Sequence, residues 1–205
     1  MEKINSKCLN LGSGEEFIEG WVNLDCDKTR KADVYYNLNK FPWPFKDNEF
    51  DKVLASYVLE YLDDVSKAMM EIYRITKPNG AIFISAPHIS SPFKWMELSH
   101  KHCFSYLTFG EWHNNKELYP YFELLKKKIV FTRINFSFMN KIINPIINLN
   151  PVIYERLFSG ILPSADIIYI FRVRKDKEFY ESKIKYMKIM ENSKKLDNLK
   201  FIIES

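Results

Sequence analysis

The chain has 205 residues, 46% of them hydrophobic and 27% charged, with a formal net charge of +4. These proportions exclude a wholly disordered, collagenous or coiled-coil chain and suit one domain with a core that needs no covalent staples. Three scattered cysteines, Cys8, Cys26 and Cys103, make neither a disulfide framework nor a CxxC zinc site, which points to a reducing, cytoplasmic setting.

The first twelve residues hold no apolar run of signal-peptide length. Ile142 to Tyr154 is uncharged, but asparagines and prolines interrupt it well short of the roughly 18–20 apolar residues that span a bilayer. From Arg174 onward nine Lys/Arg face six Asp/Glu, so most of the net charge sits in the tail. The body averages close to neutral and gives no strong nucleic-acid signal. We expect one domain over 1–175, with an apolar insertion at 140–163, followed by a charged helix or tail over 176–205.

Short apolar runs alternate with helical patterns, which predicts βαβ units and a mostly parallel sheet. Cys8–Leu11 reads as a first strand, stopped by Gly12-Ser13-Gly14. Trp21–Leu24, ending at Asp25, and Asp33–Tyr36 read as the next two. The run Phe41-Pro42-Trp43-Pro44-Phe45 must be loop, because two prolines forbid regular pairing. Phe50–Ser56 reads as a fourth strand. A helix capped by Asp63 or Asp64 then runs to about Thr76, with Val65, Met69 and Ile72 on one stripe. Lys77-Pro78-Asn79-Gly80 stops it with a turn, and Ala81–Ala86 is a fifth strand of nearly unbroken apolar character. In the second half, 88–105 reads as a loop holding three of the four histidines, and 106–117 as a short helix. Ile129–Phe136 and Asp166–Arg174 read as strands, 151–159 as a helix and 176–196 as a final amphipathic helix.

Two glycines directly after a strand let backbone N–H groups approach a ligand closely. Asp25, at the end of the next strand, can accept both hydroxyls of a ribose. Only about eleven residues separate glycines and acid, so any crossover helix is abbreviated or absent.

The run LNLGSGEEFIEGWVNLD resembles the N-terminal motif of class I S-adenosylmethionine-dependent methyltransferases, in the small type 11-like branch written LNLGCG…GWxNxD. FPWPFKDNEFDKVLASYVLEYLDD, EIYRITKPNGAIFISAPH and SHKHCFSYLTF are similar to later elements of the same family, in order, over roughly residues 8–112. The resemblance implies a doubly wound, Rossmann-like, seven-stranded and mostly parallel sheet with helices on both faces and one antiparallel strand near the C-terminal end. It implies S-adenosylmethionine as cofactor. Asn10, Leu11, Gly12, Ser13 and Gly14 would underlie its methionine part. Asp25, with Cys26 beside it, would hold the ribose, Asn37-Leu38 would meet the adenine, and Ser56 and Tyr57 would line the methionine side. The sequence departs from the family at Asn10 and Asn37, each often Asp, at Glu16 in place of a third glycine, and at Tyr57 and Tyr61 in place of histidines.

A dinucleotide-binding alternative needs G-x-G-x-x-G, and its last slot is Phe17. His100 and His102 lack the further ligand set that zinc needs, so no metal is expected. His100 and His88 are candidate general bases, because imidazole titrates near neutrality; His102 and His113 read as loop anchors. The expected activity is methyl transfer to an oxygen or nitrogen of a small molecule. The alternatives are a non-catalytic binding protein on this fold and a nucleic-acid methyltransferase.

Overall fold

The computed structural model describes residues 6–109, 121–133, 137–179, 181, 182 and 184. Seven strands form one sheet, in the order β3-β2-β1-β4-β5-β7-β6. β1 (Cys8–Leu11), β2 (Val22–Asp25), β3 (Val34–Tyr35), β4 (Phe50–Ser56) and β5 (Thr76–Pro87) run parallel. β7 (Asp166–Val173) lies antiparallel between β5 and the edge strand β6 (Phe122–Val130). The expected parallel sheet with one reversed strand near the C-terminal end is therefore the observed one. The order reverses at β1 and β4, so the carboxyl ends of these strands form the crevice where open α/β sheets bind ligands.

Leu9, Leu11, Leu24, Val53, Ala55, Ile82 and Ile84 bury the parallel strands. Helix α1 (Val65–Ile75) covers them with Ala68, Met69, Ile72 and Ile75, all essentially inaccessible. Each such large side chain contributes about 1.5–3 kcal/mol relative to exposure. The Asp64 carboxylate accepts the Lys67 N–H at 2.9 Å and so caps the helix start. The helix stops at Thr76, whose backbone is already extended. β5 begins there, earlier than Ala81, yet the Lys77–Gly80 turn survives inside it: Phe50 pairs with Thr76 and Lys52 with Ala81, so four residues loop out opposite Asp51.

No helix links β1 to β2. Two buried amides hold that loop instead. The Asn10 Nδ2 group donates to the Glu16 carbonyl at 2.8 Å and to Asn23 Oδ1 at 3.1 Å. Asn23 accepts the Ile18 N–H and donates to the carbonyls of Ile18 and Trp21. Backbone groups that a helix would have paired internally are thus satisfied by side chains.

The second half differs from expectation. The strand expected at Ile129–Phe136 lies earlier, at Phe122–Val130, because Lys126-Lys127-Lys128 masks its apolar pattern and the pairing with β7 slips between Leu124 and Lys126. Helix α2 (Asn140–Ile147) was not expected; helical residues follow at Pro151–Ile153 and Tyr154–Phe158, where a helix was. Of the helix expected at 106–117, residues 106–109 form turns and the rest, His113 included, lies outside the described residues. Most of the 176–196 helix lies outside them too.

The C-terminal end of the β6 edge, at Ile129, and the residues just beyond it are not left open. Asn140, Asn144 and Asn148, spaced by one helical turn, reach from α2 and its cap to the backbone of Thr132, Phe131 and Ile129. Side-chain amides thereby occupy sites where another strand could add.

Candidate active site

The glycine loop sits at the crevice. Gly12 has φ +63°, and a Cβ there would lie 2.4 Å from Cγ2 of Val58, just beyond β4. Only glycine supplies that conformation and that closeness. Gly14 has φ +52° and open space where a Cβ would stand, so a ligand can approach its backbone unobstructed. Its N–H donates to Asp25 Oδ2 at 2.7 Å, while Asp25 Oδ1 accepts the Asp27 N–H at 2.8 Å. Each carboxylate oxygen has two acceptor sites, so one on each remains for a diol. The Ser13 hydroxyl is buried and has no hydrogen-bond partner.

These features fit S-adenosylmethionine. The loop and Asp25 meet as a ribose site requires, and the orphaned Ser13 hydroxyl offers a polar atom to a ligand. The absence of a helix between β1 and β2 argues against a dinucleotide, whose pyrophosphate rests on a helix N-terminus.

The other expected cofactor residues divide. Asn10 spends its amide N–H groups on the loop, and Leu11 is wholly buried, so its contribution to a ligand is backbone. Cys26 is an exposed free thiol. The Asn37 side chain accepts the Asn39 N–H at the surface, and Leu38 packs in the core with its carbonyl on the Trp43 indole N–H. Ser56 hydrogen-bonds Ser85 at 3.0 Å across β4 and β5.

Tyr57 has φ +50°, a strained setting for a side chain of its size, and its N–H is held by the Ser85 carbonyl. That backbone places its ring 3.9 Å from the Arg133 guanidinium. Burial and the neighbouring Asp166 carboxylate raise the Tyr57 hydroxyl above the usual phenol range.

The two candidate bases fall in different settings. His88 is fully buried at the end of β5, with Nδ1 on Ser90 Oγ at 2.8 Å and Nε2 on Glu155 Oε1 at 2.9 Å. Both ring nitrogens are engaged, as in a structural tie. His100 is half-buried. It stacks edge-on to Tyr61, with ring centroids 4.6 Å apart, and its Nδ1 lies 2.9 Å from the Lys94 carbonyl. A carbonyl only accepts, so Nδ1 carries the proton and Nε2 presents its lone pair. Backbone N–H groups of Lys101 and His102 donate to the Glu60 carbonyl, which fastens this loop to the end of β4.

Sequence reasoning missed a polar cluster beside Tyr57. Arg133 forms a two-point ion pair with the buried Asp166, and Phe93 lies on the same guanidinium. Burial, the largest single influence, lowers the Arg133 pKa, but hydrogen bonding to Asp166 and the charges of Asp166, Tyr57 and Glu60 together raise it above its usual value. Glu60 is 1% exposed, and neither carboxyl oxygen has a hydrogen-bond partner. Burial pushes its pKa up to about 7. Glu60 lies within the family-like YVLEY stretch and could have been noticed there; Arg133 could not, because 129–136 reads as a strand. Among the described residues, no group of three or more His, Cys, Asp or Glu side chains could hold a metal, and no helix is long and apolar enough to cross a membrane.

Residues 21–84 match the family model described as a methyltransferase domain. Over 74 residues the chain is 30% identical to a demethylmenaquinone methyltransferase of Listeria welshimeri, a stretch covering 34% of this chain and 31% of the relative. Over 82 residues it is 33% identical to a ubiquinone/menaquinone biosynthesis C-methyltransferase of Pseudoalteromonas translucida, covering 40% and 29%. The matched stretch thus spans under a third of these curated relatives. Among solved structures, an S-adenosylmethionine-dependent methyltransferase from Mesorhizobium loti superposes with a TM-score of 0.54 at 15% identity, covering 82% of this chain and 90% of that one. The chain therefore has the class I S-adenosylmethionine-dependent methyltransferase fold and carries a type 11-like methyltransferase-domain segment.

Proposed function

We propose that the chain transfers a methyl group from S-adenosylmethionine to an oxygen or nitrogen of a small molecule. The observation that carries this reading is the closure of the Gly12–Gly14 loop on Asp25, with acceptor sites left on both carboxylate oxygens and no helix end waiting for a phosphate. When bound, S-adenosylmethionine would supply a methyl group activated on sulfur for a nucleophile held in line. The protein's part is alignment and exclusion of water. Asp25 would fix the ribose, and the backbone of Leu11 to Gly14 would support the methionine part. His100, whose Nδ1 is held on the Lys94 carbonyl, would take the proton of an acceptor that needs deprotonation at Nε2. The relative named for C-methylation adds a carbon nucleophile to the acceptors worth assaying.

The test is a thermal melt with S-adenosylhomocysteine and, beside it, NAD. Ligand at about 100 times its dissociation constant adds about 2.7 kcal/mol, or roughly 5–10 °C for a domain of this size. We expect a shift with S-adenosylhomocysteine alone, its loss in Asp25→Ala and its retention in His100→Ala, which should lose turnover instead. No shift, or an unchanged shift in Asp25→Ala, would defeat the assignment.

A further inference from the structure

We propose that the 138–161 segment docks this protein on an anionic lipid surface. Phe138, Ile142, Ile146 and Leu149 recur every three or four residues along α2 and its flanks, Leu157 and Ile161 follow in and after the next helical stretch, and each is between 65% and 88% exposed. Isolated exposed apolar residues are ordinary, but six in one short segment are not. They are not the core of the insertion either. α2 already has an inner side, where Ile147 is buried and Asn144 grips the β6 edge. The outward isoleucines are surplus to folding.

Charge selects the occupant. From Leu124 to Ala165 the chain has six Lys/Arg and one acid, Glu155. That acid is turned inward, onto His88 and the Tyr106 N–H. Arg133 is spent on Asp166, which leaves five cations, so this segment is cationic although the body as a whole averages near neutral. Lys126, Lys127, Lys128 and Lys141 line one hollow of about 610 Å³ together with the asparagines of α2. Exposed apolar side chains and clustered lysines on one segment are the two signals that hold a protein at a bilayer of anionic lipids. A second copy fits poorly, because a two-fold contact would bring this cationic surface against itself. The C-terminal tail from Arg174 is also net positive and would be repelled in the same way. The inference does not depend on the methyl-transfer reading.

The full chain is sedimented with phosphatidylcholine vesicles made with and without phosphatidylglycerol. Association should be at least about tenfold stronger with phosphatidylglycerol and should weaken as salt rises. Ile146→Glu/Leu149→Glu and, separately, Lys126→Glu/Lys141→Glu should abolish it while leaving the melting temperature close to that of the parent, since all four side chains lie at the surface. No association, or equal association with both vesicles, overturns the proposal. So does a dimer in solution that Ile146→Glu/Leu149→Glu dissociates, which would assign the surface to a second copy.

Discussion

Asn10 and Asn23 share a 3.1 Å hydrogen bond between buried side-chain amides, and through it the β1–β2 loop is held without a helix. Asn10 donates twice, to Asn23 and to the Glu16 carbonyl. An aspartate at that place could donate to neither. Asn10→Asp should therefore bury a carboxylate against two acceptors and cost about 2–4 kcal/mol. A urea titration with and without S-adenosylhomocysteine measures both the loss and any weakening of the ligand. A variant as stable as the parent would show that the amide pair does not hold the loop.

Asn148 treats Ile129 as a neighbouring strand would: Oδ1 accepts its N–H at 2.8 Å and Nδ2 donates to its carbonyl at 2.7 Å. Asn148→Ala leaves both groups to water or to nothing, and we expect a loss of about 2 kcal/mol, seen as a melting point lower by roughly 4–8 °C. Asn148→Asp keeps the acceptor but sets a carboxylate oxygen against the Ile129 and Asn144 carbonyls, so it should be no more stable than Asn148→Ala. Equal melting of all three proteins would mean that the sheet edge does not need the ladder.

Glu60 makes stability depend on pH. Its folded pKa, about 7, lies above the roughly 4.3 of an unfolded glutamate. Between these values the folded chain binds more protons than the unfolded one, so stability falls as pH rises and the penalty is complete above about 7. Its size is on the order of 3 kcal/mol. Glu60→Gln cannot ionise. Relative to the parent it should be gained in stability at pH 8 and much less so at pH 5, in paired melts over that range. Parallel curves would place the Glu60 charge in contact with water.

The parallel half of the fold was legible because its punctuation is chemical. Gly12, Asp25, Pro42 and Pro78 end or forbid regular structure for reasons local to each residue. The glycine turn after β1 was legible for the same reason. What failed to show was long-range. Lys126 to Lys128 sit in an edge strand, where half the side chains meet solvent and apolar alternation is not required. Asn144 and Asn148 read as polar interruptions, since nothing local indicates that they pair with a strand edge. Arg133 joins Tyr57 and Asp166 only after the chain has folded.

Gly12 and Gly14 separate two reasons for a glycine. Both have positive φ, which costs another residue about 1–2 kcal/mol. Only Gly12 also abuts a neighbour, with Val58 Cγ2 2.4 Å from where its Cβ would be. Overpacking of that kind adds about 1–3 kcal/mol. Gly12→Ala should therefore destabilise by about 2–5 kcal/mol and Gly14→Ala by about 1–2 kcal/mol. Trimming the neighbour tests the division. Val58→Ala in the Gly12→Ala background removes the 2.4 Å contact with Cγ2 and leaves only Val58 Cβ at 2.9 Å, so the clash is eased while the strain stays and the double variant should be more stable than the sum of the two single losses. Additive losses would locate the whole cost of Gly12→Ala in the backbone. Ligand affinity then separates the roles again: Gly14→Ala, whose new methyl group projects into open space beside the Asp25 bond, should weaken S-adenosylhomocysteine more than its small stability loss suggests.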